Sequence, residues 1–339
     1  MVERGSIVGR EAAGYLQCFS WKRLFNGIKL YASFLVSRLA RRSIHWGKPL
    51  AISVEPTSVC NLHCPECPTG AGTLNRAKGS IDIQSYKEIL TGFSPHLAYV
   101  NLYLQGEPFL FSHFPSLVRE ASLLNIYSVT STNGQVFSRR LAQQLIEAGL
   151  KRLIFSVDGL SQSTYEKYRV GGELAKVVNA IRIMVAVKKE MKVKHPFLVA
   201  QFIVFEHNEH EVGAFPAFAR ELGVDKVEIK SAQFNDFGNG TVHPPHQSRF
   251  RRYGTNDGVF FSKRGSNHCW KQWISAVFTW EGEMLPCCYD KDSDYVLGRV
   301  GDSDVVEIWK GKKAQAFRSS VLKNRNEINI CANCPEGRT

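Results

Sequence analysis

Residues 50–70 have the sequence LAISVEPTSVCNLHCPECPTG. The segment opens with a short apolar run at 50–54, which is typical of a buried strand. It continues into a loop that holds Cys60, Cys64 and Cys67 in a C-x3-C-x2-C spacing. Three thiolates this close in sequence can close around one metal centre. The segment therefore predicts a metal site at the end of a strand.

Outward from this segment, strand and helix patterns alternate. Strands are predicted at 50–54, 99–104, 127–132, 152–157, 197–204 and 226–229, and helices between them at 83–90, 113–124, 138–148, 175–189 and 211–222. This alternation is typical of an α/β fold with a parallel sheet, either doubly wound or a barrel. Because a full barrel has eight units and this chain has six, we expect a partial, TIM-like (β/α)6 barrel over 49–231.

Three segments flank the predicted barrel. The N-terminal segment 1–48 contains a predicted basic amphipathic helix at 19–42. This helix packs on the barrel, makes peripheral contact with a membrane or binds the leader of a peptide substrate. Residues 232–268 are rich in Gly, Asn, His and Ser and are predicted to be a linker. Residues 269–339 are predicted to form a small Cys-rich α+β extension. Its expected elements are a hairpin at 276–286 around Gly282 and one helix at 305–323.

Composition excludes several classes of protein. The content of 44% hydrophobic and 22% charged residues is that of a folding chain. No apolar run is long enough to span a membrane, and residues 1–17 lack the apolar core of a signal peptide. The net charge of +12 suits an anionic partner, but no run of five basic residues or nucleic-acid-binding motif is present, so we predict no nucleic-acid partner. Clustered cysteines without a signal peptide favour a reducing compartment, so we expect a cytoplasmic protein.

The spacing of Cys60, Cys64 and Cys67 suits a cuboidal [4Fe–4S] cluster. Three ligands leave one iron without a protein thiolate, and an open metal position is where chemistry can occur. A fully ligated site mostly transfers electrons or supports structure. The alternative is a zinc ion that the same thiolates bind together with His63 or a more distant ligand.

This loop resembles the cysteine motif of radical S-adenosylmethionine (SAM) enzymes, although Glu66 stands where that family often has an aromatic residue. The resemblance extends over about 49–334. It implies that Cys60, Cys64 and Cys67 hold the catalytic cluster and that the open iron binds SAM. Reductive cleavage of SAM would then yield a 5′-deoxyadenosyl radical that abstracts a hydrogen atom from a substrate.

The resemblance also assigns SAM contacts. Gly106, Glu107 and Pro108 resemble the family's GEP motif, whose carboxylate would accept a charge-assisted hydrogen bond from the SAM ammonium. The other residues that the resemblance places near SAM or the substrate are Thr130, Ser131, Asn133, Ser156, Asp158 and Arg169. Arg169 would pair with the SAM carboxylate. The alternative role for each is that of a helix cap or turn residue.

A second group of cysteines lies in the extension. Cys269 and Cys287 with Cys331 and Cys334 can fully ligate one auxiliary [4Fe–4S] cluster, and zinc satisfies the same ligand count. The surrounding sequence resembles the SPASM/Twitch extension of radical SAM enzymes. Since only five residues follow Cys334, we expect the Twitch-like form with a single auxiliary cluster. Two cysteines are left over, Cys18 and Cys288, and we expect both to be buried apolar side chains. The alternatives for Cys288 are an exchangeable cluster ligand and a redox-active thiol.

The resemblance implies an oxidoreductase. A fully ligated cluster can accept an electron, so hydrogen abstraction followed by electron loss would dehydrogenate the substrate or form a bond oxidatively. The substrate is a small molecule or a peptide, and the reductant a flavodoxin or ferredoxin. The alternatives are a maturase that modifies a ribosomally made peptide or protein, and a non-catalytic zinc-binding protein. Candidate proton acceptors are Asp158, Gln201, His207 and Lys230.

Overall fold

The computed structural model describes residues 11–12, 14–234, 242–256, 259–261, 266–332 and 334. Parts of the predicted linker, at 235–241, 257–258 and 262–265, lie outside the described residues. The same holds for 1–10 of the predicted N-terminal segment and for 333 and 335–339 of the predicted extension.

The elements through the sixth strand follow the predicted alternation. In chain order they are α1 (Trp21–Ala40), β1 (Ala51–Val54), α2 (Pro68–Ala71), α3 (Ile83–Phe93), β2 (Tyr99–Asn101), α4 (Phe114–Leu123), β3 (Tyr127–Thr132), α5 (Arg139–Glu147), β4 (Arg152–Ser156), α6 (Gln162–Tyr165), α7 (Leu174–Glu190), β5 (Phe197–Val204), α8 (Phe215–Glu221) and β6 (Lys226–Ser231). Short 3-10 helices occupy Pro108–Leu110 and Glu206–Glu211.

Shorter elements make up the rest of the chain. They are β7 (Gly254–Asn256), β8 (Val259–Phe261), α9 (Lys271–Ile274), β9 (Ser275–Phe278), β10 (Glu283–Leu285), β11 (Gly298–Arg299), α10 (Val305–Lys310), α11 (Lys312–Asn324) and α12 (Asn329–Ala332), with 3-10 helices at Ser248–Phe250 and Arg325–Glu327.

One nine-stranded sheet carries the fold, in the order β11-β10-β9-β1-β2-β3-β4-β5-β6. The strands from β9 to β6 are parallel. The predicted α/β fold, with six parallel strands in a partial barrel, is confirmed. The extension also joins the barrel directly, because Ala51 of β1 pairs in parallel register with Ser275 of β9.

Two expectations about the extension have different outcomes. The predicted hairpin is confirmed, since β10 pairs antiparallel with β9 and Gly282 in the turn has a φ of 80°. The single helix expected at 305–323 is wrong. Gly311 adopts an extended conformation that ends α10 and begins α11, so the chain turns where a continuous helix was predicted.

The amino ends of the parallel strands are filled by the N-terminal segment. Tyr15 stacks on Tyr127 of β3 with ring centroids 4.3 Å apart, and Cys18 is buried beside it, as predicted. Arg152 at the start of β4 forms ion pairs with Glu11 and Glu228. This packing closes one end of the barrel and leaves the carboxyl ends of the strands for a site.

Helix α1 lies beside these amino ends. The Arg23 guanidinium donates to the carbonyl oxygens of Leu124 and Asn125, just before β3. Asn26 donates to the carbonyl oxygen of Lys48, just before β1, at 2.7 Å. These bonds fix one face of α1 against the barrel. Among the helices of the described residues, none combines the length and the apolar character needed to cross a membrane.

Candidate functional site

A cavity of about 280 Å³ opens at the carboxyl ends of the parallel strands. Its wall includes the sulfur-bearing side chains of Cys60, Cys64 and Cys67. The carboxyl-terminal residues of β3, β4 and β5 and the segments that follow β2, β3 and β4 form much of the rest of the wall. This is expected for a site in a parallel α/β sheet. The predicted site residues that line it are Gly106, Glu107, Ser131, Asn133, Ser156 and Arg169.

Backbone contacts hold the cysteine loop in place. The Glu107 N–H donates to the Val59 carbonyl oxygen at 2.8 Å, and the His63 N–H donates to the Val170 carbonyl oxygen at 2.9 Å. Gly106 has a φ of 74°, and a Cβ added there would lie 2.2 Å from the Thr57 carbonyl oxygen. Only glycine allows the GEP turn to approach the cysteine loop this closely.

Glu107 is buried, and its carboxylate accepts three hydrogen bonds. The Thr132 hydroxyl donates to Oε1 at 2.7 Å, and the Asn133 N–H donates to Oε2 at 2.7 Å. The Phe109 N–H also donates to Oε1, at 3.3 Å. Burial raises the pKa of Glu107 to about 6, although these donors oppose the increase. At neutral pH the carboxylate is therefore mostly ionised and carries a negative charge at the cavity wall.

Arg169 places a positive charge at the cysteine loop. Its Nε donates to Asp158 Oδ2 at 2.6 Å, and its Nη1 lies 3.8 Å from the Cys64 sulfur. Asp158 is fully buried and does not line the cavity. The Asp158 carboxylate therefore orients Arg169, and the guanidinium faces the thiol.

Two thiols of the loop, those of Cys60 and Cys64, are held in surroundings that favour their protonated form. Burial raises the pKa of the Cys64 thiol to about 11, which the Arg169 charge only partly opposes. Burial likewise raises the pKa of Cys60. A bound cationic centre supplies the charge that makes such thiolates stable, and its binding releases their protons. The donor set of three thiols on one cavity, with Cys64 buried and Cys60 and Cys67 half-buried, fits a [4Fe–4S] cluster with one open iron.

Within the described part of the chain, no three His, Cys, Asp or Glu side chains form a group that could hold a single metal ion. The thiolates of an iron–sulfur cluster bind different irons and therefore sit further apart than the ligands of one ion.

Strand geometry separates neighbouring polar residues. Ser131 of β3 and Ser156 of β4 line the cavity. Thr130 does not line it. Thr130 lies further from the carboxyl end of β3, and its hydroxyl donates to the Leu102 carbonyl oxygen at 2.9 Å. Pro108 also lies outside the lining and begins a 3-10 helix.

Sequence reasoning missed further lining residues. Tyr168 is buried against the Arg169 guanidinium, which lies 5.0 Å from its ring centroid. Gln105 precedes the GEP turn and does not itself line the cavity, but its Oε1 lies 3.5 Å from the Cys67 sulfur. Thr132, to which the sequence analysis assigns no role, also lines the cavity and neighbours Asn133 in the same Ser-Thr-Asn-Gly segment. That adjacency was a usable signal for Thr132, whereas no pattern marks Tyr168.

The four predicted auxiliary ligands share a second cavity. Cys269, Cys287, Cys331 and Cys334 all line it, together with the buried Arg325. Burial raises the pKa of Cys331 to about 12 and also raises the pKa of Cys287. Four thiols that converge from two distant chain segments fit a fully ligated cluster. Cys288 does not line this cavity and is half-buried, contrary to the expectation of a fully buried side chain.

The segment after Cys287 reaches from the auxiliary cavity to the cysteine loop region. The Lys291 carbonyl oxygen accepts from Arg76 Nε at 2.5 Å, and Asp292 Oδ1 accepts from the Asn75 N–H at 2.8 Å. Arg76 forms a bidentate pair with the buried Glu55 at the end of β1, at 2.8 and 2.9 Å. The two cysteine groups are thus joined through one short, well-bonded segment.

The candidate proton acceptors lie outside the lining of the cavity. Lys230 is exposed and pairs with Glu228 at 3.4 Å. Burial lowers the pKa of His207 to about 4, so this ring is neutral at physiological pH. Gln201 lies on β5, and its carbonyl oxygen accepts from the Val157 N–H at 2.9 Å. The structure brings none of the three to the cysteine loop.

Comparison with known proteins agrees with this geometry. A model described as "Radical SAM superfamily" matches residues 54–210, and one described as "Iron-sulfur cluster-binding domain" (SPASM) matches residues 269–335. The first model covers the cysteine loop and the GEP turn, and the second covers all four auxiliary cysteines.

Individual relatives are distant but extend over most of the chain. The chain is 24% identical to a tungsten-containing aldehyde ferredoxin oxidoreductase cofactor-modifying protein of Pyrococcus furiosus, over 80% of this chain and 83% of that protein. It is 22% identical to a PqqA peptide cyclase of Xanthomonas campestris, over 85% and 80% of the two chains. It is 21% identical to an S-adenosyl-L-methionine-dependent 2-deoxy-scyllo-inosamine dehydrogenase of Niallia circulans, over 84% and 91%.

A solved structure shares the fold. Streptococcus suis SuiB bound to S-adenosylmethionine superimposes with a TM-score of 0.66 at 15% identity, over 90% of this chain and 76% of SuiB. Radical SAM enzymes use a [4Fe–4S] cluster and SAM, and a SPASM domain binds auxiliary iron–sulfur clusters. This chain belongs to the radical SAM superfamily and carries a C-terminal SPASM iron–sulfur cluster-binding domain.

Proposed function

We propose that this enzyme is a radical SAM oxidoreductase that removes two electrons from its substrate. The observation that supports this proposal most directly is the convergence of Cys269, Cys287, Cys331 and Cys334 on one cavity. Four thiolates leave no iron of a cuboidal cluster open, so such a site suits electron transfer better than substrate binding. In this proposal 49–231 carries the SAM chemistry and 269–339 carries the electron acceptor, with 1–48 and 232–268 outside both.

The residues around the first cavity would hold the cluster and SAM. Cys60, Cys64 and Cys67 are the cluster ligands. Arg169, fixed by Asp158, would pair with the SAM carboxylate, and Glu107 would accept a charge-assisted hydrogen bond from the SAM ammonium. When bound, the cluster and SAM supply a 5′-deoxyadenosyl radical that takes a hydrogen atom from the substrate.

Polar side chains on the cavity wall would position the rest of SAM and the substrate. Asn133 contacts the cysteine loop. Its Nδ2 donates to Asn61 Oδ1 at 2.8 Å and lies 4.0 Å from the Cys60 sulfur. The Ser131 and Ser156 side chains both line the cavity and offer hydroxyl groups for the ribose or the substrate. Thr130 and Pro108, which lie behind the wall, would support the turn rather than touch SAM.

The oxidation balances without an external oxidant for the substrate. One hydrogen atom leaves with 5′-deoxyadenosine, and one electron and one proton then leave the substrate radical. Cys269, Cys287, Cys331 and Cys334 would hold an auxiliary cluster that could accept that electron, and methionine would be the second product of SAM. The result is dehydrogenation, such as alcohol to ketone, or oxidative formation of a bond. The 2-deoxy-scyllo-inosamine dehydrogenase among the relatives supports the dehydrogenation outcome and a small-molecule substrate.

Modification of a ribosomally made peptide is the second candidate. The similarity to the PqqA peptide cyclase favours it, over 85% of this chain. The same active-site residues would serve in either case, because the peptide reaction also begins with hydrogen abstraction. The two candidates differ only in what enters the first cavity.

The cellular setting follows from the chemistry. Each turnover starts with an electron delivered to the first cluster, and we propose a flavodoxin or ferredoxin as its source. No two cysteines of the described residues form a disulfide in the structure, which suits a reducing compartment and supports a cytoplasmic location.

Anaerobic reconstitution tests the proposal. Protein incubated with SAM and a reductant is expected to form 5′-deoxyadenosine and to contain about eight irons per chain, four for each [4Fe–4S] cluster. A Cys60→Ala variant should form none. Colourless protein that holds zinc and leaves SAM intact would contradict the proposal and favour the non-catalytic zinc-binding alternative. An iron content of about four per chain would show that only one cluster is bound, and the proposal would lose its auxiliary cluster.

A further inference from the structure

Helix α1 turns its apolar side toward solvent. We call this side the outer face; it comprises Trp21, Leu24, Phe25, Ile28, Tyr31, Leu35, Val36 and Leu39, each at least 36% exposed. At 100° per residue these positions form one continuous stripe along the helix. An exposed apolar patch of this size on a folded chain typically marks an interaction site.

Polar contacts, rather than the apolar stripe, attach α1 to the protein. Arg23, Asn26, Ser33 and Ser37 are buried on the opposite side of the helix. The Ser37 hydroxyl donates to the Ile44 carbonyl oxygen beyond the helix at 2.8 Å, and Asn26 also accepts from the Lys48 N–H at 2.9 Å. Leu30 and Phe34 add apolar contact on this side. The orientation of the outer face is therefore fixed by specific hydrogen bonds.

The charged side chains of α1 and of the sequence that flanks it are all basic. Residues 12–54 contain seven Lys or Arg side chains and no Asp or Glu. Lys22 and Lys29 follow one edge of the outer face, and Arg38 lies near the other edge. Basic side chains beside an apolar, aromatic-rich helix face are the features of helices that lie in a membrane interface.

A basic cavity adjoins the same edge. It has a volume of about 330 Å³ and is lined in part by Lys22, Lys29, Lys48 and Lys310. None of its lining residues, all within the described chain, is acidic. Trp46 at this cavity is 50% exposed. Burial and the charges of Lys48, Lys29 and Lys22 lower the pKa of His96 in the cavity wall, which indicates a positive potential there.

We propose that α1 lies in the plane of an anionic membrane surface, with its outer face in the lipid interface and a lipid phosphate in the basic cavity. Apolar burial would supply attachment, and attraction between the lysines and the anionic leaflet would supply the preference for acidic lipids. The membrane is the occupant that fits both features, because a purely apolar partner would leave the lysines unmatched. The proposal is independent of the substrate that the enzyme oxidises.

The geometry leaves the active site accessible. Arg23 and Asn26 of α1 contact residues that precede β3 and β1, which are the amino ends of the strands. The cavity with Cys60 and Glu107 lies at the carboxyl ends. A membrane bound at α1 therefore sits away from the opening of the SAM cavity.

Vesicle co-sedimentation of the full, anaerobically reconstituted chain tests the proposal. We expect binding to vesicles of phosphatidylcholine mixed with phosphatidylglycerol and much weaker binding to phosphatidylcholine alone. Lys22→Gln with Lys29→Gln should reduce affinity roughly 30-fold, at about fivefold for each charge removed near the surface. Ile28→Glu should reduce it at least about tenfold, because an apolar contact becomes a charge.

Leu123→Glu is the matched control, since Leu123 is 73% exposed at the end of α4 and lies outside the outer face. It should bind vesicles like the unchanged protein. Iron content should remain the same in every variant, which separates a membrane effect from misfolding. The proposal is overturned if acidic vesicles are not bound or if Leu123→Glu weakens binding as much as Ile28→Glu. If the protein is a dimer in the absence of vesicles and Ile28→Glu converts it to a monomer, the outer face binds a second copy of the chain instead of a membrane.

Discussion

Asp158 holds Arg169 against the cysteine loop. Oδ2 of Asp158 accepts from Arg169 Nε at 2.6 Å, while Oδ1 accepts from the Ile203 N–H at 2.6 Å. The carboxylate is thereby fixed by β5, and the guanidinium it orients lies 3.8 Å from the Cys64 sulfur. Asp158 is a positioning residue, and Arg169 is the group that faces the cavity.

Replacing Asp158 should weaken SAM binding without removing the cluster. Asp158→Asn keeps the shape of the side chain but removes the charge that fixes Arg169, so the guanidinium loses its orientation. Loss of a residue that orients a ligand-contacting side chain typically reduces affinity or activity 10–100-fold. We expect a loss of that order in SAM affinity, measured by equilibrium dialysis.

Asp302→Asn is a suitable control because Asp302 is exposed. It should leave SAM affinity unchanged, and both variants should retain the iron content of the unchanged protein. Normal SAM binding by Asp158→Asn would show that the orientation of Arg169 does not matter for SAM.

The buried Glu107 predicts a pH dependence of SAM binding. Burial raises the pKa of its carboxyl to about 6, so the ionised form is largely lost as pH falls through that value. Between pH 7.5 and 5.5 the ionised fraction falls about fourfold. Because the carboxylate would accept a hydrogen bond from the SAM ammonium, affinity should fall by a similar factor over this interval.

A Glu107→Gln variant separates this effect from the titration of SAM itself. It should bind SAM more weakly than the unchanged protein at pH 7.5. The SAM affinity of the unchanged protein divided by that of the variant should fall about fourfold between pH 7.5 and 5.5. A ratio that stays constant across this range would rule out titration of Glu107 as the cause.

Much of the site could be predicted because it depends on local pattern. The strands of the barrel carry apolar runs, and the Cys60 loop and the GEP turn follow two of them directly in sequence. Parallel strands bring their carboxyl ends to one edge, so the residues that follow them meet. The convergence of Ser131, Ser156 and Arg169 on one cavity follows from this rule.

What could not be predicted depends on contacts between distant segments. The pairing of Ala51 with Ser275 makes the extension part of the barrel sheet, and no local pattern marks that partner. The break at Gly311 overrides a helical spacing that continues on both sides of it. The exposure of the apolar face of α1 could not be predicted either, because periodicity identifies an apolar side of a helix but not whether that side is buried.

Close packing at the GEP turn predicts a cluster defect in Gly106→Ala. Both Gly106 and Gly72 have a positive φ, at 74° and 72°, so alanine is strained at either position. The added Cβ would lie 2.2 Å from the Thr57 carbonyl oxygen at Gly106 but meet nothing within 4 Å at Gly72. Only Gly106→Ala should displace the cysteine loop.

Iron analysis after reconstitution measures the difference. Gly106→Ala should retain only the auxiliary iron, about four per chain, and should form no 5′-deoxyadenosine. Gly72→Ala carries the same backbone strain, of about 1–2 kcal/mol, and should keep its full iron content. Equal iron loss in the two variants would attribute the defect to strain alone and not to the contact with the cysteine loop.

The two neighbouring cysteines of the extension should behave differently. Cys287 lines the auxiliary cavity and Cys288 does not. Cys287→Ala should therefore lose about four irons per chain, while SAM cleavage to 5′-deoxyadenosine continues at the intact first cluster. Oxidation of the substrate should stop, because the electron from the substrate radical has no acceptor. Cys288→Ala is the matched control and should keep all of its iron. If Cys288→Ala loses the auxiliary iron and Cys287→Ala does not, the ligand set assigned to the second cavity is wrong and Cys288 takes the place of Cys287.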